Sequence, residues 1–152
     1  MLYEVEGDLL DFAPKYYIGQ QCNTTGYVAK GLSAVIFKQY PEANVYKKGT
    51  IRIPGTADII GRVVNLYGQV KAGKPSSNGD SKDDRVVYFI RSLDDFYNKA
   101  RAIQPKGKIL LALPKGVGCG LAGGDWNVYQ KVIEEFDNSH PNDLVVLIVQ
   151  KH

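Results

Sequence analysis

Apolar and polar positions alternate along this chain with two different periods, one typical of strands and one typical of helices. Leu2 to Glu6 alternates apolar and acidic residues, which predicts a half-buried edge strand. The β-rich run 16–22 predicts a second strand, and turn-forming residues follow it. Further strands are predicted at 59–60, 63–67, 109–113 and 144–149, and helices at 31–40, 84–103 and 126–136.

Each predicted helix carries apolar residues every three or four positions, and this spacing predicts that one face of the helix packs against the core. Pro41 ends the first helix, and Ser81 to Asp84 resembles an acidic capping box at the start of the second. The predicted core faces are Leu32, Val35, Ile36 and Tyr40; Val86, Val87, Ile90, Leu93, Tyr97 and Ala100; and Trp126, Tyr129, Val132, Ile133 and Phe136.

Strands and helices alternate along much of the chain, and the central strands are apolar throughout, as strands covered on both faces are. This pattern predicts an α/β protein with three layers. In such sheets, ligands bind beyond the carboxyl ends of the strands. Two glycine-bearing loops, 23–31 and 116–124, leave predicted strands at that end, whereas 70–80 has no period and reads as a surface loop.

Composition narrows the class of protein further. The 152 residues fit one domain, 1–152, and 44% of them are hydrophobic. Cys22 and Cys119 are far apart, with no Cys or His at ligand spacing, so we expect no metal, no cofactor and a reducing, cytoplasmic compartment, or the nucleus in a eukaryote. The apolar runs are too short to span a membrane, and a net charge of +3 does not indicate nucleic acid.

The loop after the strand 109–113 is the segment richest in candidate chemistry. Five glycines within nine residues let the main chain approach a ligand closely, and successive free N–H groups can bind an anion. A phosphate cradle is therefore the favoured interpretation, with a flexible connector as the alternative. The spacing fits neither the Rossmann nor the Walker A motif. The candidate residues are Gly116, Val117, Gly118, Cys119, Gly120 and Leu121.

The first loop also ends at a predicted helix N-terminus, so the two loops can clamp a diphosphate. The Asn23 amide can both donate to and accept from sugar hydroxyls. Lys30 can neutralise phosphate charge, although a solvated surface lysine is an equal alternative. Asp8 can accept a hydrogen bond from an exocyclic amine, but a lone aspartate is more often a turn former.

Three segments in order resemble the macro domain family: residues 5–9 around Gly7-Asp8-Leu9, residues 23–41, and residues 114–126. The resemblance implies an α/β/α sandwich around a mixed sheet that binds ADP-ribose. It implies that Asp8 and the Leu9 amide bind adenine and that Asn23 contacts the distal ribose. The two glycine loops, centred on Gly31, Leu32 and Ser33 and on the residues from Gly116 to Leu121, would hold the diphosphate and distal ribose.

Within that family, the sequence 118–126 is similar to the branch of ADP-ribose-1''-phosphate phosphatases and terminal ADP-ribose glycohydrolases. The glycohydrolases use a lysine and an aspartate where this chain has Gly68 or Gln69 and Ala122, so a lysine-adduct route is not expected. Family members often have Gly-x-Gly before the first helix, whereas this chain has Ala29-Lys30-Gly31.

The resemblance thus implies a phosphatase acting on ADP-ribose 1''-phosphate. The catalytic candidates are Asp125, to orient water, and Lys30, to counter phosphate charge; a helix N-cap is an equal interpretation of Asp125. Cys119 lacks a nearby activating cation in sequence and is interpreted as a packing residue. His140 and His152 are interpreted as surface residues.

A non-catalytic ADP-ribose reader and a mono-ADP-ribosyl-protein hydrolase remain alternatives. The expected partners are ADP-ribose or a derivative and ADP-ribosylated protein, and we expect a monomer.

Overall fold

The computed structural model of the protein describes residues 1–47, 50–76 and 79–151, so His152 lies outside the described residues. All the predicted strands and helices are present, with ends that differ by at most two residues from the prediction. Short 3₁₀ helices at Leu9–Phe12 and Pro41–Ala43 were not predicted. The elements are β1 (Leu2–Glu6), β2 (Tyr17–Asn23), α1 (Leu32–Gln39), β3 (Ala57–Ile60), β4 (Val63–Gln69), α2 (Lys82–Ile103), β5 (Ile109–Pro114), α3 (Trp126–Asn138) and β6 (Leu144–Gln150).

The strands form one six-stranded sheet in the order β1-β6-β5-β2-β4-β3. Every neighbouring pair is parallel except β3 and β4, which form an antiparallel hairpin. Gly61, with φ of 62°, supplies the left-handed residue that the tight hairpin turn requires. The sheet is therefore mixed, as expected, and its five parallel strands end at the same edge.

Apolar side chains cover both faces of the sheet. On one face, Phe89 and Phe96 of α2 and Ile133 of α3 pack against strand residues such as Leu111 and Val146. On the other face, Ile36 and Phe37 of α1 join a second cluster with residues of the central strands. The three layers confirm the predicted α/β/α sandwich.

The buried faces of α1 and α2 differ from the prediction. In α1, Ile36 and Phe37 are buried, whereas Leu32 and Val35 are 38% and 54% exposed. In α2, the predicted core residues Val87 and Ile90 are exposed. Aromatic side chains take part of the buried face instead, Phe37 in α1 and Phe89 and Phe96 in α2, and a phenyl ring buries more apolar surface than a valine or isoleucine side chain.

The start of α2 follows the prediction closely. The Ser81 hydroxyl accepts a hydrogen bond from the Asp84 N–H at 2.9 Å, and the Asp84 carboxylate accepts one from the Ser81 N–H at 3.1 Å. This reciprocal capping box satisfies two N–H groups that the helix cannot bond internally. Throughout the part of the chain that is described, no helix has both the length and the apolar character needed to cross a bilayer.

Candidate functional site

A cleft of about 380 Å³ opens at the carboxyl ends of the central strands. Its walls come from the end of β2, the loop before α1 and the first turn of that helix, the segment after β4, and the glycine loop after β5. The two loops singled out from the sequence therefore lie on one cleft. The predicted residues that line it are Asn23, Lys30, Gly31, Leu32, Ser33, Gly116, Val117, Gly118, Cys119, Gly120 and Leu121.

The glycine loop after β5 is tightly folded. Its turns are closed by hydrogen bonds from the Cys119 N–H to the Gly116 carbonyl at 2.8 Å and from the Gly124 N–H to the Gly118 carbonyl at 3.1 Å. Gly118 has φ of 76°, and a Cβ there would lie 2.5 Å from the Tyr129 ring. Glycine at position 118 is therefore required by close packing as well as by the backbone, and this part of the loop packs against α3.

Main-chain N–H groups on both sides of the cleft are available to a ligand. Within the described residues, the N–H groups of Gly118, Gly120 and Leu121 donate to no protein acceptor. The first-turn N–H groups of α1 have no side-chain cap, because Gly31 is its N-cap residue. Such groups carry partial positive charge and favour an anion.

The two loops approach each other across the cleft. A Cβ on Gly31 would lie 3.8 Å from Cδ1 of Leu121, so the two loops come close to each other at this point. Lys30 lies exposed beside them and forms no ion pair with any described residue. Its charge is therefore available to an anion in the cleft.

Asn23, at the end of β2, is held by three hydrogen bonds. Its N–H donates to the Tyr46 hydroxyl at 3.2 Å, and its carbonyl accepts from Nη1 of Arg52 at 3.1 Å. Its side-chain Oδ1 accepts from the Gly26 N–H at 2.6 Å. The sequence left both amide functions available to a ligand, but only the Nδ2 donor is uncommitted in the structure.

Asp8 and Leu9 are not among the residues that line the cleft. Asp8 caps the first 3₁₀ helix, with Oδ1 accepting from the Leu10 N–H at 3.1 Å, and Leu9 is buried. Asp8 nevertheless follows β1, which ends at the same edge of the sheet as β2 and β5. The adenine-binding role of both residues stays a prediction.

Asp125 also lies outside the cleft lining, and its Oδ1 accepts from the Asn127 N–H at 3.0 Å. It is thus the N-cap of α3, which was one of its two predicted interpretations.

Cys119 does line the cleft, but burial, together with the nearby Asp125 charge, raises its pKa to about 11. The thiol therefore stays protonated at neutral pH and is not an activated nucleophile.

The described lining of the cleft contains no carboxylate or imidazole that could act as a general base. None of the described residues that line it is an Asp, Glu or His. His140 stacks on Tyr97, with ring centroids 3.6 Å apart, and neither residue lines the cleft. The described residues also contain no group of three or more His, Cys, Asp or Glu side chains placed to hold a metal ion.

A buried ion pair that lies beside the cleft was not predicted from the sequence. Arg85 of α2 is 2% exposed and donates to both carboxylate oxygens of Asp80, at 2.9 and 3.2 Å. The same guanidinium donates to the carbonyls of Lys71, Gly73 and Ala122, so it joins the segment after β4 to the glycine loop. Burial alone would raise the pKa of Asp80, but the hydrogen bonds from Arg85 and from the Val70 N–H outweigh it and hold the pKa below its usual range.

The sequence placed Asp80 in a surface loop, and the structure corrects this assignment, because the carboxylate is buried. Two polar residues on the cleft floor were also missed. Nε2 of Gln21 donates to Oε1 of Gln69 at 2.7 Å, and Nε2 of Gln69 donates to the Lys71 carbonyl at 2.8 Å. Gln69, one of the two positions at which the resemblance calls for a lysine, lines the cleft with an amide side chain.

No model of a known protein family matches the chain. Its sequence is similar to that of an ADP-ribose 1''-phosphate phosphatase of Candida albicans, with 26% identity over 159 residues that cover 96% of this chain and the full length of the relative. Its fold is similar to that of the macrodomain of Mycobacterium tuberculosis DarG, with a TM-score of 0.70, 20% identity and 97% of each chain covered. The macrodomain of Thermus aquaticus DarG has a TM-score of 0.69, with the same identity and coverage. The fold predicted from the sequence is therefore confirmed: this chain is a protein of the macro domain fold.

Proposed function

We propose that this protein binds ADP-ribose and removes the terminal phosphate of ADP-ribose 1''-phosphate. The observation that carries the proposal is the convergence of two glycine-bearing loops, with unbonded N–H groups, on one cleft. A diphosphate is the part of the ligand that such N–H groups suit best. The similarity to a relative that is named for this phosphatase activity supports the choice of reaction.

The proposed reaction is a hydrolysis at phosphorus. The oxygen of water bonds to phosphorus, the bond from phosphorus to the 1'' oxygen breaks, and that oxygen takes a proton as inorganic phosphate leaves. Because no carboxylate or imidazole is among the described lining residues, the proton of the water passes through an oxygen of the substrate phosphate. The protein contributes position and charge, through the Asn23 Nδ2 donor, the loop N–H groups and Lys30. Asp125 lies outside the described lining, where it caps α3, and its proposed contribution is to orient the attacking water.

A reader of ADP-ribose without catalysis is the second candidate, and the lack of a carboxylate or imidazole among the lining residues that the structure describes favours it. One sample distinguishes the candidates. ADP-ribose is titrated by calorimetry, and the same preparation is then assayed for phosphate release from ADP-ribose 1''-phosphate and for ADP-ribose release from a mono-ADP-ribosylated protein. Phosphate release with competitive inhibition by ADP-ribose is expected. Binding without turnover leaves the reader, release from the modified protein supports the third alternative, and no binding removes all three.

Lys30→Met tests whether charge at the cleft rim assists the reaction. Loss of one exposed charge beside a phosphate dianion should lower kcat/KM by about three- to thirtyfold. Lys38→Met is the matched control, because Lys38 is an exposed lysine on α1 that does not line the cleft. Equal effects of the two substitutions would remove Lys30 from the proposal.

We also propose that the protein acts as a monomer in the cytoplasm, with ADP-ribosylated proteins among its partners. Sedimentation analysis tests the monomeric state, and fractionation of the source cells tests the cytoplasmic location.

A further inference from the structure

The side-chain amide of Asn23 has one orientation in the cleft. Its Oδ1 accepts a hydrogen bond from the Gly26 N–H at 2.6 Å, and a main-chain nitrogen can only donate. A Cβ on Gly26 would lie 2.6 Å from the same Oδ1, so glycine at this position permits the close approach. Because Asn23 lines the cleft, its Nδ2 donor is left for an acceptor of a bound ligand.

The sheet alone does not hold Asn23, the last residue of β2. Among the described residues, β2 pairs with β5 over its first two positions only, and its register with β4 shifts between Gln21 and Asn23. At this irregular point, the Asn23 N–H donates to the Tyr46 hydroxyl at 3.2 Å, and the Asn23 carbonyl accepts from Nη1 of Arg52 at 3.1 Å. Side chains from the segment after α1 therefore help to fix the end of the strand.

Tyr46 and Arg52 form one unit behind Asn23. The Tyr46 ring is 7% exposed and packs edge-on against Phe37 of α1, with ring centroids 5.8 Å apart. The guanidinium carbon of Arg52 lies 5.1 Å from the centroid of the same ring, within the range of a cation–π contact. Arg52 thus reaches Asn23 in two ways, by its own hydrogen bond and by holding the tyrosine that bonds the Asn23 N–H.

Stability alone does not account for the placement of Arg52. The side chain is half-buried, forms no ion pair with any described residue, and has a buried Nε without a hydrogen-bond partner in the described part of the chain. A partly desolvated cation without a carboxylate costs free energy, whereas the buried Arg85 has Asp80 as its partner. The hydrogen bond and the ring contact of Arg52 both serve Asn23.

We propose that Arg52 is a positioning residue for ligand binding, which holds Asn23 so that its Nδ2 donor meets an acceptor oxygen of the ligand. Arg52 is not among the residues that line the cleft, so it acts through Asn23 and Tyr46 rather than by contact. A donor that is fixed before the ligand arrives loses less conformational entropy on binding. This inference rests on the proposed binding of ADP-ribose.

A double-variant cycle, measured by calorimetric titration with ADP-ribose, tests the inference. Asn23→Ala and Arg52→Met should each weaken binding by about three- to tenfold, the effect of one lost hydrogen bond. Because Arg52 acts through Asn23, the double variant should bind no more weakly than Asn23→Ala alone, within about twofold. Losses that multiply in the double variant would overturn the inference. Unchanged binding by Asn23→Ala would overturn it and leave the proposed function intact, whereas a wild-type protein that does not bind ADP-ribose would overturn both.

Arg62→Met is the matched control. Arg62 also donates from Nη1 to a carbonyl, that of Pro14 at 2.9 Å, and its guanidinium carbon also lies over a tyrosine ring, 4.0 Å from the centroid of Tyr17. It lies in the turn before β4, outside the cleft lining. Arg62→Met should therefore leave the affinity for ADP-ribose unchanged within about twofold. Equal weakening by Arg62→Met and Arg52→Met would overturn the inference.

Tyr46→Phe tests the same link without removing a charge. It keeps the ring beneath Arg52 and deletes only the oxygen that accepts from the Asn23 N–H. Binding of ADP-ribose should weaken, and adding Asn23→Ala should give no more than the loss of Asn23→Ala alone, within about twofold. A further loss in this double variant would show that the Tyr46 hydroxyl contacts the ligand itself and would overturn the inference. If Arg52→Met does not fold, this second cycle decides.

Discussion

Single residues fix the walls of the cleft through backbone geometry as much as through side-chain chemistry. Gly118 combines a left-handed φ with a ring packed against its Cα, whereas Gly120 has no atom within 4 Å of the position that a Cβ would take. The two glycines of this loop are therefore present for different structural reasons. Close packing requires Gly118, and Gly120 leaves open space at the surface of the cleft.

Gly118→Ala should destabilise the protein, because the new Cβ meets Tyr129 and the left-handed backbone alone costs about 1–2 kcal/mol for a non-glycine residue. Gly120→Ala is the control and should change the free energy of unfolding by less than about 0.5 kcal/mol. Urea denaturation measures both. Equal stability of the two variants would contradict the packing described for this loop.

Asp8→Ala tests the predicted adenine contact. Loss of a charge-assisted hydrogen bond should weaken ADP-ribose binding by about 1–3 kcal/mol in calorimetric titration. Because Asp8 also caps a 3₁₀ helix, thermal stability is measured in parallel, and Asp11→Ala, in the same 3₁₀ helix, serves as the control. A drop in stability with unchanged affinity would leave Asp8 as a cap only.

The raised pKa of Cys119 gives a pH dependence that can be measured directly. A thiol with a pKa of about 11 is protonated at pH 7.5, so alkylation by iodoacetamide should be slow there and should accelerate as the pH rises toward 11. Mass spectrometry separates Cys119 from the buried Cys22. Rapid alkylation of Cys119 at neutral pH would instead indicate a thiolate poised for nucleophilic attack.

At the scale of elements, the cleft depends on how loops are attached to helices and strands. Arg85 lies in the first turns of α2, yet its hydrogen bonds hold the segment after β4 and the glycine loop after β5. One side chain thereby connects three segments that are distant in sequence. The attachment is buried, so it is shielded from solvent and from salt.

Arg85→Met should cost about 3–5 kcal/mol of stability, because it leaves the Asp80 carboxylate buried without its partner. Arg91→Met, at an exposed position of the same helix, is the control and should have little effect on urea denaturation. The folded-state pKa of Asp80 is lowered, so the contribution of the pair is present above about pH 4 and is lost as the pH falls through the folded pKa. A stability difference between wild type and Arg85→Met that persisted undiminished at pH 2 would contradict this assignment.

The sequence predicted elements well where burial follows apolar periodicity. The continuous apolar run of β5 and the capping box of α2 are local signals, and both appear where they were expected. Gln20, Asn65 and Arg85 were missed because a reading based on polarity places such residues at the surface. Gln20 and Asn65 are buried because they pair with each other across β2 and β4, and Arg85 is buried because it pairs with Asp80 and with three loop carbonyls; local patterns do not encode these contacts.

The site was predictable to a similar extent. Glycine density and turn formers identified both loops, because their signals are local. Tyr46 and Gln69 line the cleft without having been singled out for it, since they reach it only through the packing of β2 against β4 and of the segment after α1. Asn23 was identified, but the commitment of its Oδ1 to Gly26 emerged only from the three-dimensional arrangement.

At the scale of the whole molecule, the parallel strands bring the proposed contacts to one edge of the sheet. The strand order places Asp8 at one end of that edge and Asn23, at the end of β2, three strands away, with the glycine loop after β5 between them. A ligand with adenine at one end, a diphosphate in the middle and a ribose at the other end matches this order of donors and acceptors.

A crystal structure of the complex with ADP-ribose tests this arrangement most directly. In that complex, diphosphate oxygens should lie about 3 Å from the main-chain nitrogens of Gly118, Gly120 or Leu121 and of the first turn of α1, with adenine beside Asp8 and the distal ribose at Asn23. A nucleotide bound elsewhere, or a diphosphate that touches neither loop, would contradict it.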